Sequence, residues 1–232
     1  MIELLVVLNL ILTGWVIALE KRIPFKFPKR HSRSVVHVVH TDGSRGTGFV
    51  ATAGSGKKVI ITNKHVCAPY EGDGIGAKIY IGIGNTRIAT TILDVYRTHD
   101  LCMIEMVDRN IPAVVLAKHL RFGRVFTYGF PWKTTLSFHH GSITQMRSAN
   151  LPNGLLNTEC FGIFYKWDHV KNRCVDVYPT VYTTAITGPG GSGSPVWNRH
   201  GEVVGVINLH IIETLHAGFV PLSFLQHFLE QH

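Results

Sequence analysis

Charged side chains are scarce in this chain: only 16% of its 232 residues are Asp, Glu, Lys or Arg, whereas 45% are hydrophobic. This balance excludes an intrinsically disordered protein, which combines high charge with few apolar side chains. The sequence also lacks heptads, fixed-period repeats and low-complexity runs, which excludes a coiled coil and a collagen-like chain. A chain of this length and hydrophobicity is expected to bury a sizeable core.

The net charge of +8 is unevenly distributed along the chain. Residues 1–19 contain one charged side chain, Glu3, whereas residues 20–34 carry a net +5 and the remaining residues a net +4. Residues 1–19 are apolar on every face, and about 20 such residues cross the bilayer core as a helix. We therefore predict a transmembrane helix over 1–19 and a basic juxtamembrane linker over 20–33 that meets anionic lipid headgroups.

The cationic flank also predicts on which side of the membrane the following domain lies. By the positive-inside rule, cations directly after the apolar segment place that domain on the cytoplasmic side. The alternative for residues 1–19 is a cleaved signal peptide followed by a secreted domain. The acidic start and the missing small-residue cleavage site disfavour that alternative.

From residue 34 onward the chain contains short β-branched segments separated by turn residues, which is typical of β-strands. Twelve such segments fall into two sets of six: 35–40, 48–52, 59–62, 77–83, 87–96 and 101–107, then 124–129, 136–146, 160–166, 175–185, 203–209 and 217–220. After Pro221 the apolar residues follow a helical period, which predicts a helix over 222–231. We predict an all-β domain over 34–232 with two six-stranded antiparallel barrels, over about 34–120 and 121–221; composition leaves a single sandwich open.

Three segments contain the residue types that acyl transfer requires. An apolar strand leads into His65, Asp100 begins a second apolar strand, and the glycine-rich run 188–195 surrounds Ser192. A serine hydroxyl needs a neighbouring base, the base needs an acid that fixes its tautomer, and the developing oxyanion needs backbone N–H donors. The three segments together therefore point to serine-based acyl transfer.

The order of His65, Asp100 and Ser192 in these contexts resembles the chymotrypsin-like (trypsin-fold) serine proteases. Within that superfamily the sequence is most similar to Deg-type bacterial proteases, glutamyl endopeptidases and viral serine proteases. Further motifs extend the resemblance over about residues 34–232: Gly46-Thr-Gly48, Gly129-Phe-Pro131 and Gly201-Glu-Val-Val-Gly205. The resemblance implies a serine endopeptidase that needs no cofactor and acts on a protein or polyprotein substrate. Together with the helix predicted over 1–19, we expect this endopeptidase to be anchored in a membrane.

The resemblance also implies roles for individual residues. Ser192 is the nucleophile, His65 is the general base and later the acid, and Asp100 orients His65. Backbone N–H groups of Gly190 and Ser192 form the oxyanion hole.

Two neighbours of the nucleophile are informative. Ser194 stands at a position that glycine more often occupies in the family, so a structural role is implied for it. Gly191 stands where digestive members carry an Asp that pairs with a newly cut N-terminus. We therefore expect no zymogen switch of that kind.

The implied primary specificity pocket lies just before the nucleophile and on a later strand. Ile186 and Thr187 occupy the first region, and the absence of an Asp there argues against a preference for Lys or Arg. Ile207 stands where relatives that select Glu or Gln carry a His, and a Thr187–His210 pair would require a β-bulge. The expected P1 residue is apolar or small.

The cysteines and histidines carry weaker predictions. Cys67, Cys102, Cys160 and Cys174 permit two disulfides, but an inside-facing domain predicts thiols. For Cys160 and Cys174, a hairpin disulfide and two buried thiols are equally supported. The pair His139-His140 lacks further ligands at metal spacing, so no metal site is predicted.

Two other function classes compete with an active protease. A catalytically inactive trypsin-fold homologue would bind peptides or proteins without cutting them, but all three triad residue types are present. A basic RNA-binding or lipid-binding protein would explain the charge. The domain after residue 34 lacks the aromatic-basic clusters of known recognition modules, so no nucleic-acid partner is expected.

Overall fold

The computed structural model describes residues 29–70, 74–84, 86–108, 110–131, 135–147, 165–168, 173–176, 180–211 and 215–232. The transmembrane helix predicted over 1–19, and the linker as far as residue 28, lie outside these residues. Within the described part, no helix has the length and apolar character needed to cross a membrane. The first described element is a short 3₁₀ helix at Lys29–Ser34, which leads directly into the first strand.

The first half of the chain forms a closed six-stranded antiparallel barrel. Its strands are β1 (Val35–Val39), β2 (Arg45–Thr52), β3 (Lys58–Thr62), β4 (Lys78–Ile83), β5 (Thr86–Tyr96) and β6 (Leu101–Glu105). They pair in the order β1-β2-β3-β6-β5-β4, and β1 pairs with β4 to close the barrel. All six segments predicted from the sequence are present in this half.

The second half forms another closed six-stranded antiparallel barrel and a separate hairpin. Its strands are β7 (Arg124–Gly129), β8 (Ser137–Arg147), β9 (Tyr165–Asp168), β10 (Arg173–Asp176), β11 (Thr180–Thr183), β12 (Pro195–Asn198), β13 (Val203–Ile211) and β14 (His216–Pro221). The barrel order is β11-β14-β13-β12-β7-β8, while β9 and β10 form a two-stranded sheet.

The prediction of two six-stranded barrels is confirmed, but the membership of the second barrel differs from the prediction. Its sixth strand is β12, which follows the glycine-rich loop and is only four residues long. The predicted strand 160–166 overlaps the separate β9–β10 hairpin, and the predicted strand 175–185 divides between β10 and β11. Short strands of this kind carry too few residues to show a period of two.

Two short helices complete the fold. Helix α1 (Lys64–Cys67) follows β3 directly, and helix α2 (Leu222–Glu230) closes the described chain. Helix α2 buries Leu222, Leu225, Phe228 and Leu229, which lie on one helical face. This confirms the C-terminal helix that the spacing of its apolar residues predicts.

One apolar cluster joins the two barrels. It contains Phe49 and Ile61 of the first barrel, Trp197 and Val206 of the second, and Phe228 of α2, each with at most 1% of its surface exposed. Burial of one such large side chain stabilises the fold by about 2–3 kcal/mol relative to leaving it exposed. The barrels are therefore fixed against each other, and residues at their junction keep a defined geometry.

A disulfide between Cys67 and Cys102 ties α1 to β6. Of the two alternatives that the sequence leaves open for these residues, the structure has the disulfide and not the thiols that an inside-facing domain predicts. Both cysteines are fully buried and lie close in sequence to His65 and Asp100. The two alternatives for Cys160 and Cys174, a hairpin disulfide or two thiols, concern side chains that lie outside the described part of the structure.

Candidate active site

His65 and Asp100 form a hydrogen-bonded pair at one end of the first barrel. His65 lies on α1, and Asp100 lies between a 3₁₀ turn, Arg97–His99, and β6. The carboxylate accepts two hydrogen bonds from the same residue: from the backbone N–H of His65 at 3.0 Å and from its ring Nδ1 at 2.8 Å. This double contact fixes both the position and the rotation of the imidazole.

The hydrogen bond from Nδ1 also sets the tautomer of His65. An ionised carboxylate only accepts, so Nδ1 carries the proton in the neutral imidazole. The lone pair is then on Nε2, which is the nitrogen that a general base uses. The His65 side chain keeps 24% of its surface exposed, whereas that of Asp100 keeps 3%.

The backbone around Asp100 is held as firmly as its side chain. Asp100 has a φ of 52°, a left-handed conformation that Asp tolerates better than most residues. Its carbonyl oxygen accepts hydrogen bonds from the backbone N–H of Lys64 and from the Asn63 side-chain amide, at 3.1 and 3.0 Å. Asn63 is fully buried, so this contact links the two segments inside the fold.

His99 precedes Asp100 but turns away from the pair. Its ring stacks on Phe224 at a centroid distance of 3.8 Å and lies 4.5 Å from Tyr96. Burial, with a smaller effect from His227, holds the pKa of His99 below its usual range. His99 therefore belongs to the packing against α2.

The glycine-rich loop that carries Ser192 consists of consecutive tight turns. The Gly191 N–H donates to the carbonyl of Gly188 at 2.9 Å, and the Ser194 N–H donates to that of Gly191 at 3.0 Å. Gly190 and Gly193 have φ values of 95° and 85°, which side chains other than that of glycine rarely allow. A Cβ on Gly193 would overlap the carbonyl oxygen of Thr47.

Thr47 of β2 connects this loop to the first barrel. Its N–H donates to the carbonyl of Ser192 at 2.8 Å, and its hydroxyl donates to the carbonyl of Gly190 at 2.8 Å. The same hydroxyl oxygen accepts from the N–H of Phe130 at 2.9 Å, and the Thr47 carbonyl accepts from the Thr62 hydroxyl at 2.6 Å. Two of these four hydrogen bonds hold the loop, and the other two fix Thr47 itself.

Strand β2 also brings Ser192 and His65 to the same junction. A Cβ on Gly46 would overlap the side chain of Val66, the residue after His65, and would lie 3.1 Å from the carbonyl oxygen of Ser192. Both segments therefore pack on the backbone of Gly46. The segments that carry His65, Asp100 and Ser192 therefore meet at the junction of the two barrels.

Two neighbours of Ser192 are fully enclosed. Ser194 has no exposed surface, and its hydroxyl fills the space beside Gly129. A Cβ on Gly191 would overlap the side chain of Thr187. The loop has no room for the acidic side chain that a zymogen switch of the digestive type would use at residue 191.

The four residues assigned to the specificity pocket differ in burial. Thr187 and Ile207 have 2% and 1% of their surface exposed, while Ile186 and His210 are half-buried. The bulge that a Thr187–His210 pair requires is present, between Ile207 and Leu209 in the β13–β14 pairing. Among the described residues, however, Thr187 and His210 form no hydrogen bond with each other, and His210 Nδ1 is buried without a partner.

Neither Thr47 nor Asn63 is identified as a functional residue by the sequence alone. Thr47 lies between two glycines, a pattern that indicates close backbone approach. Asn63 lies two residues before the histidine. Their partners are distant in the sequence, up to 143 residues for Thr47, so only the fold reveals them. Among the described residues, no group of three or more His, Cys, Asp or Glu side chains could hold a metal ion.

Two closed six-stranded barrels with a His–Asp pair and a glycine-rich serine loop at their junction define the class of chymotrypsin-like serine proteases. The family model described as "Trypsin-like peptidase domain" matches residues 46–206, and the chain belongs to this family.

The chain is similar to curated serine proteases of the Deg and HtrA type. It is 27% identical over 214 residues to the "Probable periplasmic serine endoprotease DegP-like" of Ectopseudomonas mendocina, a match covering 87% of this chain and 38% of the relative. It is 28% identical over 191 residues to "Serine protease HTRA2, mitochondrial" of Drosophila willistoni, covering 81% of this chain and 38% of the relative. The chain thus spans about two fifths of the length of these relatives.

A solved structure shares the fold. An inactive-form crystal structure of Rv3671c from M. tuberculosis H37Rv superposes with a TM-score of 0.65 at 18% identity, over 87% of each chain. At this level of identity the similarity concerns the fold alone.

Proposed function

We propose that Ser192, His65 and Asp100 are the catalytic triad through which this serine endopeptidase hydrolyses peptide bonds. The observation that carries the proposal is the double hydrogen bond from His65 to the Asp100 carboxylate. It places the proton on Nδ1 and the lone pair on Nε2, the nitrogen with which a general base acts on the nucleophile. Deg-type and HtrA-type relatives are named serine proteases, which supports the same activity.

The proposed reaction proceeds in two halves. His65 Nε2 takes the proton of the Ser192 hydroxyl while Oγ attacks the scissile carbonyl, and the developing imidazolium is stabilised by Asp100. The backbone N–H groups of Gly190 and Ser192 donate to the oxyanion. His65 then protonates the leaving amine, and water releases the acyl group from Ser192 by the reverse sequence of proton transfers.

The hydrogen bonds of the loop support a productive oxyanion hole. The Gly190 carbonyl is held in one orientation, because the Thr47 hydroxyl donates a hydrogen bond to its oxygen at 2.8 Å. Fixing this carbonyl fixes the peptide plane between Gly190 and Gly191, and it orients the adjoining part of the loop. Preorganised donors of this kind do not need to reorient during the reaction.

Proteolysis by the full chain tests the triad. We expect a fluorescent casein or peptide substrate to be cleaved, and Ser192→Ala to lower turnover roughly 10⁶-fold. Ser194→Ala is the matched control, because it removes the neighbouring hydroxyl and should retain turnover in the folded fraction. Unchanged turnover in Ser192→Ala, with loss in Ser194→Ala, would assign the nucleophile to the other serine.

We propose that Ile186, Thr187, Ile207 and His210 contribute to the P1 pocket, and that the pocket accepts an apolar or small residue. The burial of Ile207 and the absence of a Thr187–His210 hydrogen bond among the described residues support this preference over Glu or Gln. A peptide-library cleavage profile measures it. Cleavage mainly after Glu or Gln would contradict the assignment.

We propose that the domain, taken as residues 34–232, works in an oxidising compartment, with residues 1–19 as an anchor or export segment. The Cys67–Cys102 disulfide supports this placement, because such bonds persist outside the reducing cytosol. A curated relative is named as periplasmic. This placement replaces the cytoplasmic side that the positive-inside rule predicts. Alkylation of the full chain in intact cells, before and after reduction, tests it: thiols at Cys67 and Cys102 before reduction would contradict it.

A further inference from the structure

A groove opens where the first barrel separates at one end. Strands β1 and β4 pair from Val39 to His37, whereas Val35 and Val36 pair only with β2. The groove has a volume of about 690 Å³. Its apolar walls include Ile83, Ile111 and Pro112 of the first half of the chain and Phe130 of the second.

Three arginines from three different segments line the groove. Arg33 precedes β1, Arg45 begins β2 and Arg87 lies on β5. No Asp or Glu is among the described residues that line it. None of the three guanidinium groups makes an ion pair or a hydrogen bond with any other described residue. Like charges gathered without a counter-ion from the described part of the chain repel each other, so this groove favours an anionic ligand.

His37 lines the same groove, next to Phe130. Its ring stacks on Phe130 at a centroid distance of 4.9 Å, and its Nε2 is buried without a partner among the described residues. Burial, followed by the charges of Arg45 and Arg87, holds the pKa of His37 below its usual range. Burial and the two arginines therefore favour the neutral imidazole, so the positive charge of the groove comes from its arginines.

The groove adjoins the segments that position the loop of Ser192. Arg45 directly precedes Gly46 and Thr47, which contact Ser192, and the Phe130 N–H donates to the Thr47 hydroxyl at 2.9 Å. Two residues that line the groove are therefore direct neighbours of Thr47, which holds that loop. A concave site with apolar walls suits an extended peptide better than the flat surface of a membrane.

We propose that this groove binds an acidic segment of the protein substrate, with Arg33, Arg45 and Arg87 facing its carboxylates and Phe130 contacting its apolar side chains. The proposal rests on the proposed protease function, since it names a substrate class for the same site. Acidic residues near the scissile bond then raise the affinity for substrate.

Binding to the full-length Ser192→Ala chain tests the groove without cleavage. Fluorescence anisotropy compares an acidic peptide containing Asp, Glu and Leu with a matched peptide containing Asn, Gln and Leu. We expect the acidic peptide to bind more tightly and to lose affinity as ionic strength rises. Arg45→Gln and Arg87→Gln should each weaken it about twofold to fivefold, whereas Arg199→Gln, an exposed arginine outside the groove, should not.

Three outcomes would overturn the proposal: equal affinity for both peptides, equal effects of Arg45→Gln and Arg199→Gln, or arginine-dependent binding to phosphatidylglycerol vesicles without binding to the acidic peptide. Cleavage of acidic and neutral substrates with equal kcat/KM by the wild-type chain would also overturn it while leaving the protease function intact. Arginine-dependent binding by a chain that cleaves neither substrate would instead refute the protease function and support the groove.

Discussion

At the scale of residues, Asp100 and Thr47 organise the two halves of the site. Asp100 joins α1 to β6 through its carboxylate and its carbonyl, and Thr47 joins β2 to the loop of Ser192. Each of the two residues makes these hydrogen bonds through both its backbone and its side chain. Removal of one such contact leaves a buried partner unsatisfied, which costs about 1–3 kcal/mol.

Thr47→Val removes the hydroxyl and preserves the shape of the side chain. The Gly190 carbonyl then loses its donor and the Phe130 N–H loses its acceptor. We expect kcat to fall roughly tenfold to 100-fold with little change in KM, because the oxyanion donors lose their fixed orientation. Steady-state kinetics on the folded protein measures this effect.

Thr47→Ser is the matched control, since it keeps the hydroxyl and should retain most of kcat. A purely structural role would lower the melting temperature of Thr47→Val but leave kcat per folded molecule unchanged, which would contradict the positioning role.

The residue types of the triad could be predicted from the sequence because each occurs within a local motif. His65 follows Thr62-Asn-Lys, Asp100 precedes an apolar strand, and Ser192 lies among glycines. The contacts of Thr47 and Asn63 could not be predicted in this way, since both depend on segments far away in the chain that meet only in the fold.

At the scale of elements, the short helix α1 and strand β6 are joined by a covalent bond as well as by hydrogen bonds. The Cys67–Cys102 disulfide closes a loop with a sequence separation of 35 residues. Such a cross-link restricts the unfolded chain more than the folded one. The elements that carry His65 and Asp100 are therefore coupled in stability.

A double variant, Cys67→Ser with Cys102→Ser, is expected to lower the free energy of unfolding by about 3–4 kcal/mol through the restored freedom of the unfolded chain. Chemical denaturation monitored by fluorescence measures this loss, with Cys160→Ser plus Cys174→Ser as the comparison pair. If the double variant at 67 and 102 were as stable as the wild-type chain, the cross-link would contribute nothing to the fold.

Helix α2 was predictable from its sequence, whereas β12 was not. Four apolar side chains at helical spacing identify α2, and all four are buried. Strand β12 contains Pro195 and three further residues, so neither its length nor its composition marks it as a strand. It becomes a barrel strand by pairing with β7 and β13.

At the scale of the whole molecule, two barrels enclose a common core and place the site between them. Several partly buried histidines are held neutral by this enclosure. Burial is the largest cause of the lowered pKa of His37, His99 and His139. Since these groups bind protons more readily when the chain unfolds, they link stability to pH.

We expect the melting temperature to fall as the pH falls below about 6.5, the pKa of an unperturbed histidine. Above that pH the three side chains are neutral in both states and the stabilisation is fully present. Scanning calorimetry between about pH 5 and about pH 8 measures the slope of the melting temperature against pH. His99→Phe should make it shallower, and exposed His200→Gln should leave it unchanged; an identical slope in His99→Phe would contradict this explanation.

Locating the adduct of a fluorophosphonate probe by tandem mass spectrometry tests the proposed triad most directly. We expect a covalent phosphonyl group on Ser192 of the full chain, formed by displacement of fluoride, and strongly reduced labelling in His65→Ala. A folded wild-type chain that forms no adduct, or that carries the adduct on Ser194, would contradict the proposed triad.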